Sequence, residues 1–163
     1  MRAFIGVGSN LGDRWGNLAL AGRGLRESGA VAVVRASSVW DTPPVGPPQP
    51  RYLNAVLEVE TLLQPRPLLA LLQELEGAAH RRRGGVRWAA RTLDLDLLLY
   101  GERLIRDPGL VVPHEGIASR AFVLAPLAEL APALVVPGLG RTVAALLAEA
   151  PRGSIERVGL YPL

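Results

Sequence analysis

The sequence predicts an α+β fold, an antiparallel sheet with helices packed on it. Three observations predict it. Apolar or alternating runs near residues 3–8, 30–40, 52–62 and 93–100 read as strands with a buried face. The stretches after Trp15 and after Pro65 carry apolar residues at three-to-four spacing, which reads as helix. Strands and helices therefore follow one another in the order β-α-β-β-α-β, with further helix behind.

Each element has its own signal. Residues 3–8 are apolar and end in Gly8, a buried first strand. Gly8-Ser9-Asn10-Leu11-Gly12-Asp13-Arg14 follows as a turn. Its backbone N–H groups could cradle an anion, but the lysine and spacing of a P-loop are missing, and a tight crossover is the simpler reading. Leu18, Ala21 and Leu25 place a helix from Trp15 to about Ser28, and Val31, Val33, Val34 and Val39 mark a second strand over 30–40.

The ten residues from Asp41 to Pro50 hold five prolines, a stiff extended loop that cannot join a sheet. Such a loop is a rigid pocket wall or a surface spacer. Tyr52-Leu53-Asn54 opens a third strand reaching Leu62, and alternation puts Tyr52 and Asn54 on one face. An amide beside an aromatic ring can pair with and stack a flat heterocycle; packing and edge hydrogen bonds are the plainer role.

Pro65 and Pro67 open the second helix, where proline is tolerated. Leu68, Leu71, Leu72 and Leu75 form its apolar stripe, Gln73 and Glu76 share a face, and its end is expected near Gly77. Residues 78–90 have no hydrophobic period and read as an arginine-rich loop that a ligand would order; Trp88 within it suits a lid that stacks on a base. The fourth strand runs to Tyr100. Gly101-Glu102 is then expected as a hairpin turn, with Arg103-Leu104-Ile105 returning and Val111 to His114 extended. Helices are expected over 118–130 and 143–150, and residues 153–163 show no usable pattern. This element order is that of a ferredoxin-like sandwich, with helices on one face of the sheet and the other face left for a cleft.

The chemistry concentrates in the fourth strand. Leu93, Leu95 and Leu97 face one way and Asp94 and Asp96 the other, two carboxylates roughly 6.6 Å apart along the strand. Carboxylates are hard oxygen ligands suited to Mg²⁺, which also holds substrate phosphates. Alternating Leu and Asp also suits a merely half-exposed strand. What favours a site is the cluster Arg81, Arg82, Arg83, Arg87 and Arg91 just upstream, planar forks that grip phosphate bidentately.

Composition sets the bounds. The 163 residues suffice for a single domain over 1–163 with a real core, and 49% of them are apolar. No apolar run is long and pure enough to span a bilayer, and no signal peptide is expected at Met1-Arg2-Ala3-Phe4. The absence of cysteine excludes disulfides and thiolate zinc sites. All 18 basic residues are arginine, yet the net charge of +3 is too slight to argue for nucleic acid. A cytoplasmic location is the expectation.

Several segments together resemble the 6-hydroxymethyl-7,8-dihydropterin pyrophosphokinase family. They are Gly6-Val7-Gly8-Ser9-Asn10-Leu11-Gly12, Thr42-Pro43-Pro44-Val45-Gly46, Tyr52-Leu53-Asn54-Ala55, Arg87-Trp88, Arg91-Thr92-Leu93-Asp94-Leu95-Asp96, Val112-Pro113-His114 and Arg120 through Leu127. They are spread along the chain from Gly6 to Leu127. The resemblance implies the ferredoxin-like fold and transfer of a pyrophosphoryl group from ATP to the pterin's hydroxymethyl oxygen, releasing AMP. It implies Asp94 and Asp96 as carboxylates for two Mg²⁺ ions, and Arg81 and Arg91 as the catalytic phosphate-gripping arginines. Gln73, Glu76, Arg81, Arg83, Trp88, Arg91, His114 and Arg120 match ATP-site positions. Thr42, Pro43, Pro44, Val45, Tyr52, Asn54 and Phe122 match the pterin pocket. A monomer that binds neither nucleic acid nor membrane is expected.

Two departures stand out. Ala89-Ala90 occupies the place of the family's Gly-Pro, and Glu115 follows His114 where an uncharged residue is usual. Two other classes fit parts of the pattern. A DxD nucleotidyl- or glycosyltransferase would use the carboxylates but leave the proline loop, Tyr52 and Asn54 without a heterocycle. A single-stranded RNA module would need stacking aromatics on its central strands, and only 5% of the chain is aromatic.

Overall fold

The computed structural model describes residues 1–82 and 92–163, the side chains of Arg81 and Arg82 excepted. The chain opens with β1 (Arg2–Ser9), α1 (Arg14–Glu27), β2 (Val31–Ala36), β3 (Ser38–Thr42), β4 (Tyr52–Thr61), α2 (Pro65–Arg82) and β5 (Asp94–Tyr100). A short ribbon of β6 (Ile105–Asp107) and β7 (Leu110–Val112) leads to α3 (Ala121–Leu130). A second ribbon, β8 (Val135–Val136) with β9 (Arg141–Thr142), leads to α4 (Val143–Glu149), and β10 (Glu156–Leu160) ends the chain. The main sheet runs β10-β3-β4-β1-β5, with β2 also on β4, and every pairing is antiparallel. Stripped of β10, that is the ferredoxin-like order.

Alternation along β1 explains the two cores. Ala3, Ile5 and Val7 point to α1 and α2, where Leu18, Ala21, Leu25, Leu68 and Leu72 meet them. Phe4 points the other way, with Val56 and Leu98, onto Leu124 and Leu127 of α3 and Val143 of α4. Helices thus cover both faces, and the expectation of one bare face is corrected. The sequence of α3, apolar on most positions, needs burial on more than one side, and the second sheet face supplies it. The cleft keeps only the part of that face that α3 and α4 leave open.

Other boundaries differ for identifiable reasons. The single strand expected over 30–40 is β2 and β3, broken at Ser37. There the Ser37 hydroxyl accepts the Val56 N–H at 2.8 Å and takes a rung of the ladder. α2 does not stop at Gly77 but continues to Arg82, because Ala79, almost fully buried, prolongs the stripe of Leu68, Leu72 and Leu75. A glycine within a helix costs only about 1 kcal/mol. The residues after Tyr100 do not return along β5; β6 pairs with β7 instead. α3 begins at Ala121, not at 118. Residues 156–160, expected to be patternless, form β10 on the edge of β3; their side chains are mostly exposed, so no apolar alternation advertises the strand. Among the described residues no helix is long and apolar enough to cross a membrane.

Candidate active site

The cleft begins as a missing row of side chains. Ile5 and Val7 turn into the core under α1 and α2, so Gly6 and Gly8 occupy the opposite face of the central strand. Gly6 lies between Val56 on β4 and Asp96 on β5, and Gly8 between Asn54 and Asp94. The floor is therefore bare backbone, walled by an amide on one side and two carboxylates on the other. Sequence reasoning left Gly6 and Gly8 out of the site. The available signal was two glycines alternating with apolar residues inside a strand, which marks close approach of a ligand or another chain segment.

The remaining walls come from β3, the proline loop and α3. The cavity has a volume of about 180 Å³ and is lined by Thr42, Pro43, Val45, Tyr52, Asn54, Asp94, Asp96, Arg120 and Phe122, above the two glycines. Pairing of Thr42 with Tyr52 and of Trp40 with Asn54 sets β3 against β4. Across that ladder the Asn54 Nδ2 donates to the Thr42 hydroxyl at 2.7 Å, and Thr42 is fully buried. Arg120 lies over the Phe122 ring, 5.8 Å from its centre.

Asp94 and Asp96 stand out from β5 because Leu93, Leu95 and Leu97 are buried against α1 and α2. Glu76 on α2 accepts the Leu95 N–H at 2.9 Å, which ties the helix to the outer edge of that strand. The His114 N–H donates to the Leu98 carbonyl at 3.0 Å, bringing the imidazole alongside β5. Its Nε2 lies 3.8 Å from Asp96 Oδ1. A second cavity of about 340 Å³, lined by Leu69, Leu95, Asp96, Leu97, Leu110, His114 and Glu115, adjoins there. Asp96 lines both cavities. Among the described residues no three or more His, Asp and Glu side chains are grouped so that they could hold a metal ion by themselves. The donor set at Asp94 and Asp96 fits an oxygen-seeking dication that fills its shell with water and substrate oxygens.

The structure thus brings six of the seven residues expected around a heterocycle, Thr42, Pro43, Val45, Tyr52, Asn54 and Phe122, into one cavity with both carboxylates; Pro44 is not on its wall. Of the residues expected around a nucleotide, His114 lines the second cavity and Arg120 the first. Gln73 is exposed on α2 and Glu76 is half-buried at β5. Arg83, Trp88 and Arg91, with the side chain of Arg81, lie outside the described residues.

The model of the 7,8-dihydro-6-hydroxymethylpterin-pyrophosphokinase family matches residues 4–132. A Methylorubrum extorquens protein named 2-amino-4-hydroxy-6-hydroxymethyldihydropteridine pyrophosphokinase is 42% identical over 158 residues, 96% of this chain and 98% of the relative. A Bacillus subtilis protein of the same name is 45% identical over 129 residues, 78% of this chain and 77% of the relative. Among solved structures, Plasmodium falciparum HPPK-DHPS superposes with a TM-score of 0.71 at 11% identity, over 91% of this chain. This chain spans 45% of that larger one, and at such identity the likeness speaks for the fold alone. With the family match running from the first strand through α3 and relatives aligned along most of their length, the chain belongs to the 7,8-dihydro-6-hydroxymethylpterin-pyrophosphokinase family.

Proposed function

We propose that the cleft transfers the β,γ-pyrophosphoryl group of ATP to the hydroxymethyl oxygen of 6-hydroxymethyl-7,8-dihydropterin, a step of folate biosynthesis. The alcohol oxygen attacks the β-phosphorus, the bond from that phosphorus to the α,β-bridging oxygen breaks, and AMP leaves with the bridging oxygen. The hydroxyl proton goes to solvent. The products are AMP and the pterin diphosphate.

The observation that carries this reading is that two cavities meet at Asp96. The first has a bare floor, an amide and two aromatic rings, which suits a flat heterocycle with polar edges. Thr42, Pro43, Val45, Tyr52, Asn54 and Phe122 form the pterin side of the site, and Pro44, off its wall, stiffens the loop between Pro43 and Val45. The second holds His114 and takes the nucleotide, with Gln73 and Glu76 contributing from α2, while Arg120, on the wall of the first cavity just before α3, serves the nucleotide from that side. Asp94 and Asp96 would hold two Mg²⁺ ions, whose charge neutralises the phosphate chain. Arg81, Arg83 and Arg91 grip phosphate oxygens, Arg81 and Arg91 as the charge develops, and Trp88 stacks over the bound ligands. Such transfer needs positioning and charge neutralisation more than a strong base. The working form is a cytoplasmic monomer that binds these two small molecules, and neither nucleic acid nor membrane. Phosphorus NMR of a reaction with ATP, Mg²⁺ and the pterin tests the reading: AMP and a pterin diphosphate are expected, and ADP with a pterin monophosphate would refute it.

A further inference from the structure

Gly8 is where the floor of the first cavity comes closest to the amide that faces it. The backbone there does not demand glycine, since its φ lies outside the left-handed region. Space does. A methyl group at Gly8 would lie 2.7 Å from Asn54 Oδ1 and 3.6 Å from Tyr52 Cδ1. Carbon does not tolerate an oxygen at 2.7 Å, so one of the two must move. β1 is paired on both sides and cannot, while the carboxamide can rotate about two bonds. Rotation, however, gives up the 2.7 Å bond to the fully buried Thr42 hydroxyl. A side chain at position 8 would thus leave the sheet intact and turn the amide away from its ligand.

We propose that Gly8 is a specificity-determining residue: its bare Cα lets the Asn54 carboxamide, tied to Thr42, lie against the floor and read the polar edge of a flat bicyclic heterocycle. This rests on the cleft being the pterin pocket. Gly8 acts through Asn54 and is a positioning residue, not a catalytic one.

The test is a double-mutant cycle of Gly8→Ala and Asn54→Ala. The readouts are KM for the pterin, kcat, affinity for a non-hydrolysable ATP analogue, and melting temperature. Gly8→Ala is expected to raise the pterin KM about tenfold or more, the effect of one misplaced buried hydrogen bond, with kcat, analogue affinity and melting temperature little changed. In the Asn54→Ala background the same substitution adds almost nothing, because there is no amide left to displace. Thr42→Val, which unties the amide from the other side, is expected to raise the pterin KM as well. An unchanged KM in Gly8→Ala overturns the proposal, and so does an effect of equal size in the Asn54→Ala background. A Gly8→Ala protein that fails to fold also overturns it, since the position would then serve folding. If Asn54→Ala itself leaves the pterin KM unchanged, the pocket reading falls, and the proposal with it.

Discussion

The His114 Nε2 lies 3.8 Å from Asp96 Oδ1, at the junction of the two cavities. His114 Nδ1 accepts the Gly116 N–H at 3.1 Å, so the proton of the neutral ring sits on Nε2 and faces the carboxylate. A donor there can serve a phosphate oxygen held beside Asp96. His114→Ala is expected to weaken binding of a Mg²⁺-bound, non-hydrolysable ATP analogue about tenfold or more, the worth of a hydrogen bond to a charged group. Pterin binding should not change. Calorimetric titration of each ligand checks this, and equal loss of both would make His114 a structural prop.

Asn54 is the converse case. Its side chain faces the first cavity across from Asp94 and Asp96 and is oriented by Thr42. Asn54→Ala should weaken pterin binding by about 1–3 kcal/mol, since it strands polar edges of the ring. Nucleotide binding should stay as it is. The same pair of titrations decides it.

Leu95 separates stability from chemistry on β5. It lies between the two carboxylates in sequence, yet is 4% exposed and packs into the α1–α2 core. Leu95→Ala should cost about 2–5 kcal/mol in urea unfolding, the usual loss for a buried leucine. A loss below about 1 kcal/mol would mean that the strand does not bury that face.

Tyr161 anchors the last strand and gives the fold a pH limit. Its hydroxyl donates to the Leu18 carbonyl of α1, and burial raises its pKa well above the ordinary tyrosine value. The folded protein therefore holds the phenol neutral at a pH where the unfolded chain ionises it. The contribution is fully present below about pH 10 and is lost as the pH rises from there toward the folded value. Tyr161→Phe should be less stable at neutral pH, having lost the hydrogen bond, but should fall less steeply above pH 10. Melting temperatures of both proteins from pH 8 to 11 test it, and parallel curves would count against the assignment.

The sequence made some of this architecture legible and hid the rest. The alternation of Leu93, Leu95 and Leu97 against Asp94 and Asp96 was readable because one face is buried and the other carries charge. Leu18, Ala21 and Leu25 announced α1 in the same way. β10 was not readable, because its side chains are mostly exposed and its place is set by pairing with β3, a contact over a hundred residues away in sequence. Helical cover on the second face was missed because α3 is apolar nearly all round, so its periodicity names no single face. At the candidate site, the residues that line the first cavity with polar or aromatic side chains, Tyr52, Asn54, Asp94 and Asp96, were legible by type. Gly6 and Gly8 were not, because what they contribute is an absence of side chain that matters only once β4 and β5 stand on either side.

Replacing each β5 carboxylate in turn tests the central claim most directly. Asp94→Asn and Asp96→Asn keep the shape of the cleft and remove one negative charge each. Turnover of ATP and the pterin, measured with the melting temperature beside it, should fall about a hundredfold or more in each variant while the fold is retained, because electrostatic stabilisation of the moving group is lost. Turnover within a few-fold of the parent in both variants would contradict the account and leave Asp94 and Asp96 as the solvent face of an ordinary strand.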